Sequence, residues 1–133
     1  MSGARAAHVL LRIGVAFAFL YPPVRAVFDP VSWLSYFPQF IRGLPIDPLV
    51  LLHGFGAIEV VLALWILFGR HIRVPAALAT LMLLAIVAFN WADIDVVFRD
   101  LSIALMTLAL VLWPKVEHSP AANQSPSPSV PDN

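Results

Sequence analysis

The stretch "LLHGFGAIEVVLALWILFG", residues 51–69, is almost wholly apolar yet carries Glu59 in its middle. A spanning helix needs about 20 mostly apolar residues, and a charge at the bilayer centre costs about 2.5–3.5 kcal/mol on insertion scales. Glu59 is therefore expected to face protein. On a helix its face holds Gly56, Ala63 and Ile66, and small residues at that spacing let a second helix approach closely. The acid is read as lying on a packed seam.

Composition agrees with a lipid setting. Of 133 residues, 60% are hydrophobic and 12% charged, too little polar surface to coat a water-facing globule. Net charge is zero, which removes the basic field that nucleic-acid binding needs. No cysteine is present, so disulfides, thiol relays and iron–sulfur ligation are excluded for this chain alone.

Four segments read as spans, at about 7–25, 48–68, 74–92 and 94–113. Pro22-Pro23 should kink the first or end it early, and Gly69 is a plausible stop for the second. The exit from the first, Tyr21 to Arg25, lacks the small residues of a signal-peptide cleavage site. The fourth has only 13 uncharged residues, "LSIALMTLALVLW". Extending it to spanning length draws Asp95, Arg99 and Asp100 inward. Asp93 or Asp95 could cap it, and Asp95 could pair with Arg99 one turn on.

The expected fold is all-α: a four-transmembrane-helix bundle in residues 1–114, with an amphipathic, aromatic-rich outer loop after helix 1. That loop, "DPVSWLSYFPQFIRGLP", is suited to the headgroup level. Residues 115–133, rich in Pro and Ser, read as a disordered cytoplasmic tail. Basic residues number five on one side (Arg5, Arg12, Arg70, Arg73, Lys115) against three on the other (Arg25, Arg42, Arg99). The positive-inside rule then puts both termini in the cytoplasm.

Two arrangements satisfy Glu59. In one, Arg12, about 6 Å away in depth at ~1.5 Å per residue, pairs with it. In the other, Arg12 extends to headgroups and Glu59 is a neutral acid hydrogen-bonded across helices. A second polar group lies in the outer half. Asp100 shares an inward face with Ala104 and Thr107, while Arg99, Asn90 and His53 lie near outer helix ends. These could line a pocket, or only cap helices and bond between them. A bis-histidine haem is excluded because His8 and His53 fall near opposite membrane faces, and no metal-ligand spacing is present.

Three stretches, "LRIGVAFAFLYPPVRAVFDPVSW", "HGFGAIEVVLALWILFGRHIRVPAAL" and "FNWADIDVVFRDLSIALMTLAL", together resemble DoxX-type membrane proteins over nearly all of residues 11–112. The matching features are Arg12, Glu59 followed by Gly69 and Arg70 or Arg73, and Arg99-Asp100. Where many members have Gly-x-x-Lys after the first span, this chain reads Pro22-Pro23-Val24-Arg25-Ala26, so its outer mouth should differ. The resemblance implies a redox-associated subunit of a bacterial-type cytoplasmic membrane, without independent catalysis. It further implies a bound quinone, with Glu59, Asp100 and Arg99 handling protons or a quinone carbonyl. Redox-enzyme subunits and a second copy of the chain are the partners it suggests, besides the bilayer. The alternatives are a non-catalytic scaffold and, with no inverted repeat to support it, a small carrier or proton pathway.

Overall fold

The computed structural model describes residues 2–114, so the expected tail at 115–133 lies outside the described residues. Among the described residues all regular structure is helical: α1 (Gly3–Phe28), α2 (Pro30–Leu34), α3 (Gln39–Arg42), α4 (Pro48–Phe68), α5 (Arg73–Phe89) and α6 (Ile94–Leu112). A single 3-10 turn, Trp91–Asp93, joins α5 to α6.

Helix α1 continues past Pro22 and Pro23 to Phe28, so of the two expectations, a kink or an early end, the early end does not occur. The prolines remove two amide donors, but Pro23 lies where α4 offers no side chain. A Cβ added to Gly56 would sit 3.0 Å from the Pro23 Cβ. Glycine on one helix thus admits proline on the other, and packing offsets the lost ladder bonds.

Each long helix turns one narrow stripe inward. On α1 it is Val15, Ala16, Phe19 and Ala26; on α4 it is Leu52, Gly56, Glu59, Ala63 and Ile66. Steps of three and four residues keep such a stripe on one face. The opposite faces are exposed and apolar, as with Leu10, Phe17 and Val24 on α1 and Ile58, Val61 and Phe68 on α4. Chemistry outside resembles chemistry inside, so here it is side-chain size and polarity that mark the interior. One core joins residues of α1, α4, α5 and α6, with Val15, Ala63, Ile66, Ala76, Ala79, Ala104 and Leu110 at its centre.

α1 packs most extensively on α4, and α5 on α6. The last pair is antiparallel. Arg73 Nη2 donates to the Trp113 carbonyl at 2.8 Å, and the Thr80 and Thr107 hydroxyls lie 2.7 Å apart in the buried seam. Each threonine oxygen also lies near a carbonyl in its own preceding turn, Ala76 at 2.8 Å and Ala104 at 2.9 Å. Their polarity is thereby contained between the two helices.

α1 and α4 are each long and apolar enough to cross a membrane. α5 has 17 residues, and α6 has Asp95, Arg99 and Asp100 in its first turns; the two together, broken at the 3-10 turn, form a third candidate. The third segment ends at Phe89, three residues before its expected end at 92, because Asn90 leaves the helical conformation.

The capping expectations divide. Asp47 accepts from the Leu49 amide and starts α4. Asp93 precedes α6 without a side-chain bond, and Asp95 makes none among the described residues, so neither caps α6. Asp29 caps α2 instead: the Ser32 hydroxyl donates to it at 2.7 Å, and with the Ser32 amide holds its carboxyl below the usual range. Gly69 does end α4, through close approach rather than a left-handed turn, since any Cβ there would collide with the Trp65 carbonyl and indole.

The α1–α4 contact is open to test. Gly56→Val should lower stability by about 1–3 kcal/mol, as overpacking does, and Gly56→Ala should lower it less. Thermal unfolding in mild detergent reads both; an unchanged midpoint for Gly56→Val would contradict the proline–glycine contact.

Candidate functional site

Between the inner stripes of α1, α4, α5 and α6 and the connection carrying α2 and α3 lies a cavity of about 740 Å³. Four of the six sequence-derived site residues line it: Glu59, Asn90, Arg99 and Asp100. Arg12 and His53 do not.

Glu59 is buried at 9% exposure, one turn along α4 from Gly56. Among the described residues its carboxyl has no hydrogen-bond or ion-pair partner, so it is presented to the cavity. Asp100 faces it from α6, with a side chain 17% exposed. Arg99 is 56% exposed and reaches Asp100 at 3.7 Å, Nε to Oδ1. Consecutive helical residues point in different directions, so this contact is long and leaves the carboxylate free lone pairs. The expected Asp95–Arg99 pair does not form; Arg99 turns to Asp100 instead. Asn90 donates one side-chain amide hydrogen to the Ile86 carbonyl at 2.9 Å, and its side-chain oxygen has no partner among the described residues.

Arg12 is a correction. It neither pairs with Glu59 nor reaches away from the protein. Its Nε donates to the Ile66 carbonyl at 2.7 Å, and its Nη2 to Leu67 at 2.8 Å and Gly69 at 3.0 Å. The last carbonyls of a helix have no intrahelical partner, and a planar guanidinium presents several donors in a fixed fork. Those acceptors lie at the level of Arg12, whereas Glu59 is about two turns deeper along α4. The arginine therefore fastens the end of α4 to α1. His53 is exposed on α4, away from the cavity.

The connecting segment makes a further wall of the cavity. Trp33, Tyr36, Phe37 and Phe40 line the cavity. Phe37 meets Phe55 edge-on with centroids 6.1 Å apart, and Phe40 meets Phe89 at 5.2 Å. Aromatic residues clustered around Pro38 suit the headgroup level equally well, so the sequence does not distinguish that place from a cavity wall. Among the described residues no group of three or more His, Cys, Asp or Glu is placed to hold a metal.

A family profile, DoxX, matches residues 7–91. The chain belongs to the DoxX family. Its apolar helices and this membership make it an integral membrane protein. The DoxX match contains Arg12 and Glu59 and stops before Arg99-Asp100, so the α6 side of the cavity lies beyond it. Neither a curated protein nor a solved structure matches the chain.

A double-mutant cycle tests the placement of Arg12. Arg12→Leu should cost at least about 2 kcal/mol of stability, given ~1.5–3 kcal/mol for hydrogen bonds to charged groups. Arg12→Lys should recover only part. Coupling between Arg12→Leu and Glu59→Gln should stay below about 0.5 kcal/mol, as for independent sites; a coupling several times larger would restore the ion pair.

Proposed function

We propose that this DoxX protein is a redox-associated subunit of a bacterial-type cytoplasmic membrane, with no independent active site, whose cavity holds a quinone headgroup. In this reading α1, α4, α5 and α6 each cross the membrane, both termini are cytoplasmic, and α2 and α3 lie at the outer headgroup level. α5 and α6, ~25 and ~28 Å long at ~1.5 Å per residue, approach the ~30 Å hydrocarbon thickness. Redox-enzyme subunits are the proposed partners, and a second copy of the chain is a further one.

The observation that carries the reading is a cavity with aromatic walls and two acids, Glu59 and Asp100, in its lining. Its volume falls within the ~300–1,000 Å³ typical of small-molecule sites. Phe19, Phe37 and Phe55 offer flat apolar surface to a ring, while Glu59, Asp100 and Arg99 offer polar contacts to its oxygens. Such residues fit a quinone. Bound there, it would supply coupled electron and proton transfer. The chain's own part is to orient the ring, exclude lipid, and accept or hold a proton at Glu59 or Asp100.

The scaffold reading accounts for Arg12 and the threonine pair, whose polar atoms are spent on joining helices. It does not account for Glu59, which joins nothing.

Calorimetric titration of the whole protein in nanodiscs with short-tailed ubiquinone and menaquinone analogues tests this. Saturable binding in the micromolar range is expected, weakened about tenfold or more by Glu59→Leu. No heat of binding up to high micromolar ligand would overturn the proposal.

A further inference from the structure

A second opening lies apart from the cavity, a groove of about 510 Å³ between α1 and α4. It extends along α1 from Val9 to Leu20 and is closed on the α4 side by Leu67 and Phe68. Ile13, Phe17 and Phe68 in its walls are exposed, so the groove opens on the surface of two apolar helices rather than on the core. Arg12 is the one charged residue in its lining. Its Nε and Nη2 hold the end of α4. Nη1 has no partner among the described residues, and no buried side-chain nitrogen there is left unpaired, so Nη1 keeps open surface. The three carbonyls fix the guanidinium, and a further acceptor would meet a donor already in place.

The two ends of the bundle differ in charge. Arg12 bonds to the last turn of α4, Arg73 donates to the Trp113 carbonyl, and the His8 and Trp113 rings lie 5.0 Å apart. These contacts bring the start of α1 and α5 to the ends of α4 and α6, and with them Arg5, Arg12, Arg70 and Arg73. Asp29, Asp47, Asp93, Asp95 and Asp100 lie in the opposite half, and Glu59 is about two turns inward. Among the described residues the arginine end therefore holds no carboxylate. A second copy of the chain seated in the groove at the same depth would set another arginine, not an anion, against Arg12. A membrane supplies the anion through its phosphate headgroups, which basic pockets between helices recognise. The depth agrees: Leu20 is eight residues beyond Arg12 on α1. That is about 12 Å at ~1.5 Å per residue, most of the ~15 Å that one leaflet gives to the hydrocarbon core.

We propose that this groove is a site for one anionic phospholipid, with the phosphate at Arg12 Nη1 and an acyl chain along Ile13, Phe17 and Leu20. The site is independent of the cavity and of the quinone reading. Arg12 then has two tasks, fastening α4 to α1 and holding a lipid at their junction.

Native mass spectrometry of the whole protein in neutral detergent, titrated with phosphatidylglycerol or phosphatidylcholine of the same acyl chains, tests this. One phosphatidylglycerol should bind about fivefold or more tightly, the worth of one arginine beside an anionic headgroup. Arg12→Lys has a single nitrogen for both the α4 carbonyls and the phosphate, and should cut the preference below about twofold. Ile13→Trp changes an exposed wall, leaves Arg12 in place, and should weaken both lipids about fivefold by filling the groove. Arg5→Gln, at the same end but outside the groove, should leave the preference unchanged. Glycerol phosphate, an anion without acyl chains, should not compete with the lipid. Equal binding of the two lipids, binding unmoved by Ile13→Trp, a preference lost with Arg5 rather than Arg12, or full competition by glycerol phosphate would each overturn the proposal.

Discussion

A carboxyl group cannot be left facing hydrocarbon, and the architecture is arranged around that fact. Glu59 fixes the rotation of α4. Once it turns inward, Leu52, Gly56, Ala63 and Ile66 must follow, and Ile58, Val61 and Phe68 must turn out. Gly56 then meets α1 and admits Pro23, so the course of α1 depends on the same choice. In water the hydrophobic effect would orient such helices. In lipid, apolar area is indifferent, and polarity and residue size take over.

The buried polar groups fall into two kinds. Arg12 is spent on the carbonyls of Ile66, Leu67 and Gly69, and Thr80 and Thr107 are spent on each other and on their own helices. These contacts bind α1 to α4 and α5 to α6. Glu59 and Asp100 differ: both line the cavity, Glu59 with no partner among the described residues and Asp100 with one long contact, to Arg99. A polar group that costs free energy to bury and fastens nothing is the mark of a site.

Much of this was legible in the sequence. The α4 boundaries, 48–68, follow from Asp47-Pro48 at one end and Gly69 at the other, both local signals. That Asp100, Ala104 and Thr107 share an inward face follows from helical periodicity alone, as does the grouping of Glu59 with Gly56 and Ala63. What escaped the sequence was tertiary. Pro22-Pro23 reads as a helix end unless the glycine that receives Pro23 is known. Arg12 reads as a partner for the one buried acid, because the orphan carbonyls at the end of α4 have no sequence signature. His53, near the outer end of the second span, could have lined the pocket or stood at the interface, and it is exposed on α4 outside the cavity lining. The aromatic connection gave no hint that its rings would wall the cavity, since that depends on where the chain folds back.

The account stands or falls on where residue 59 points. The chain has no cysteine, so single cysteines can be introduced and spin-labelled without background. In nanodiscs, labels at positions 58, 59 and 61 of α4 can be compared for collisions with oxygen, which partitions into lipid, and with a water-soluble nickel chelate. Lipid-like oxygen accessibility at 58 and 61, with a sharp minimum at 59, is the predicted pattern. Oxygen accessibility at 59 equal to that of its neighbours would place the glutamate among acyl chains and contradict the account.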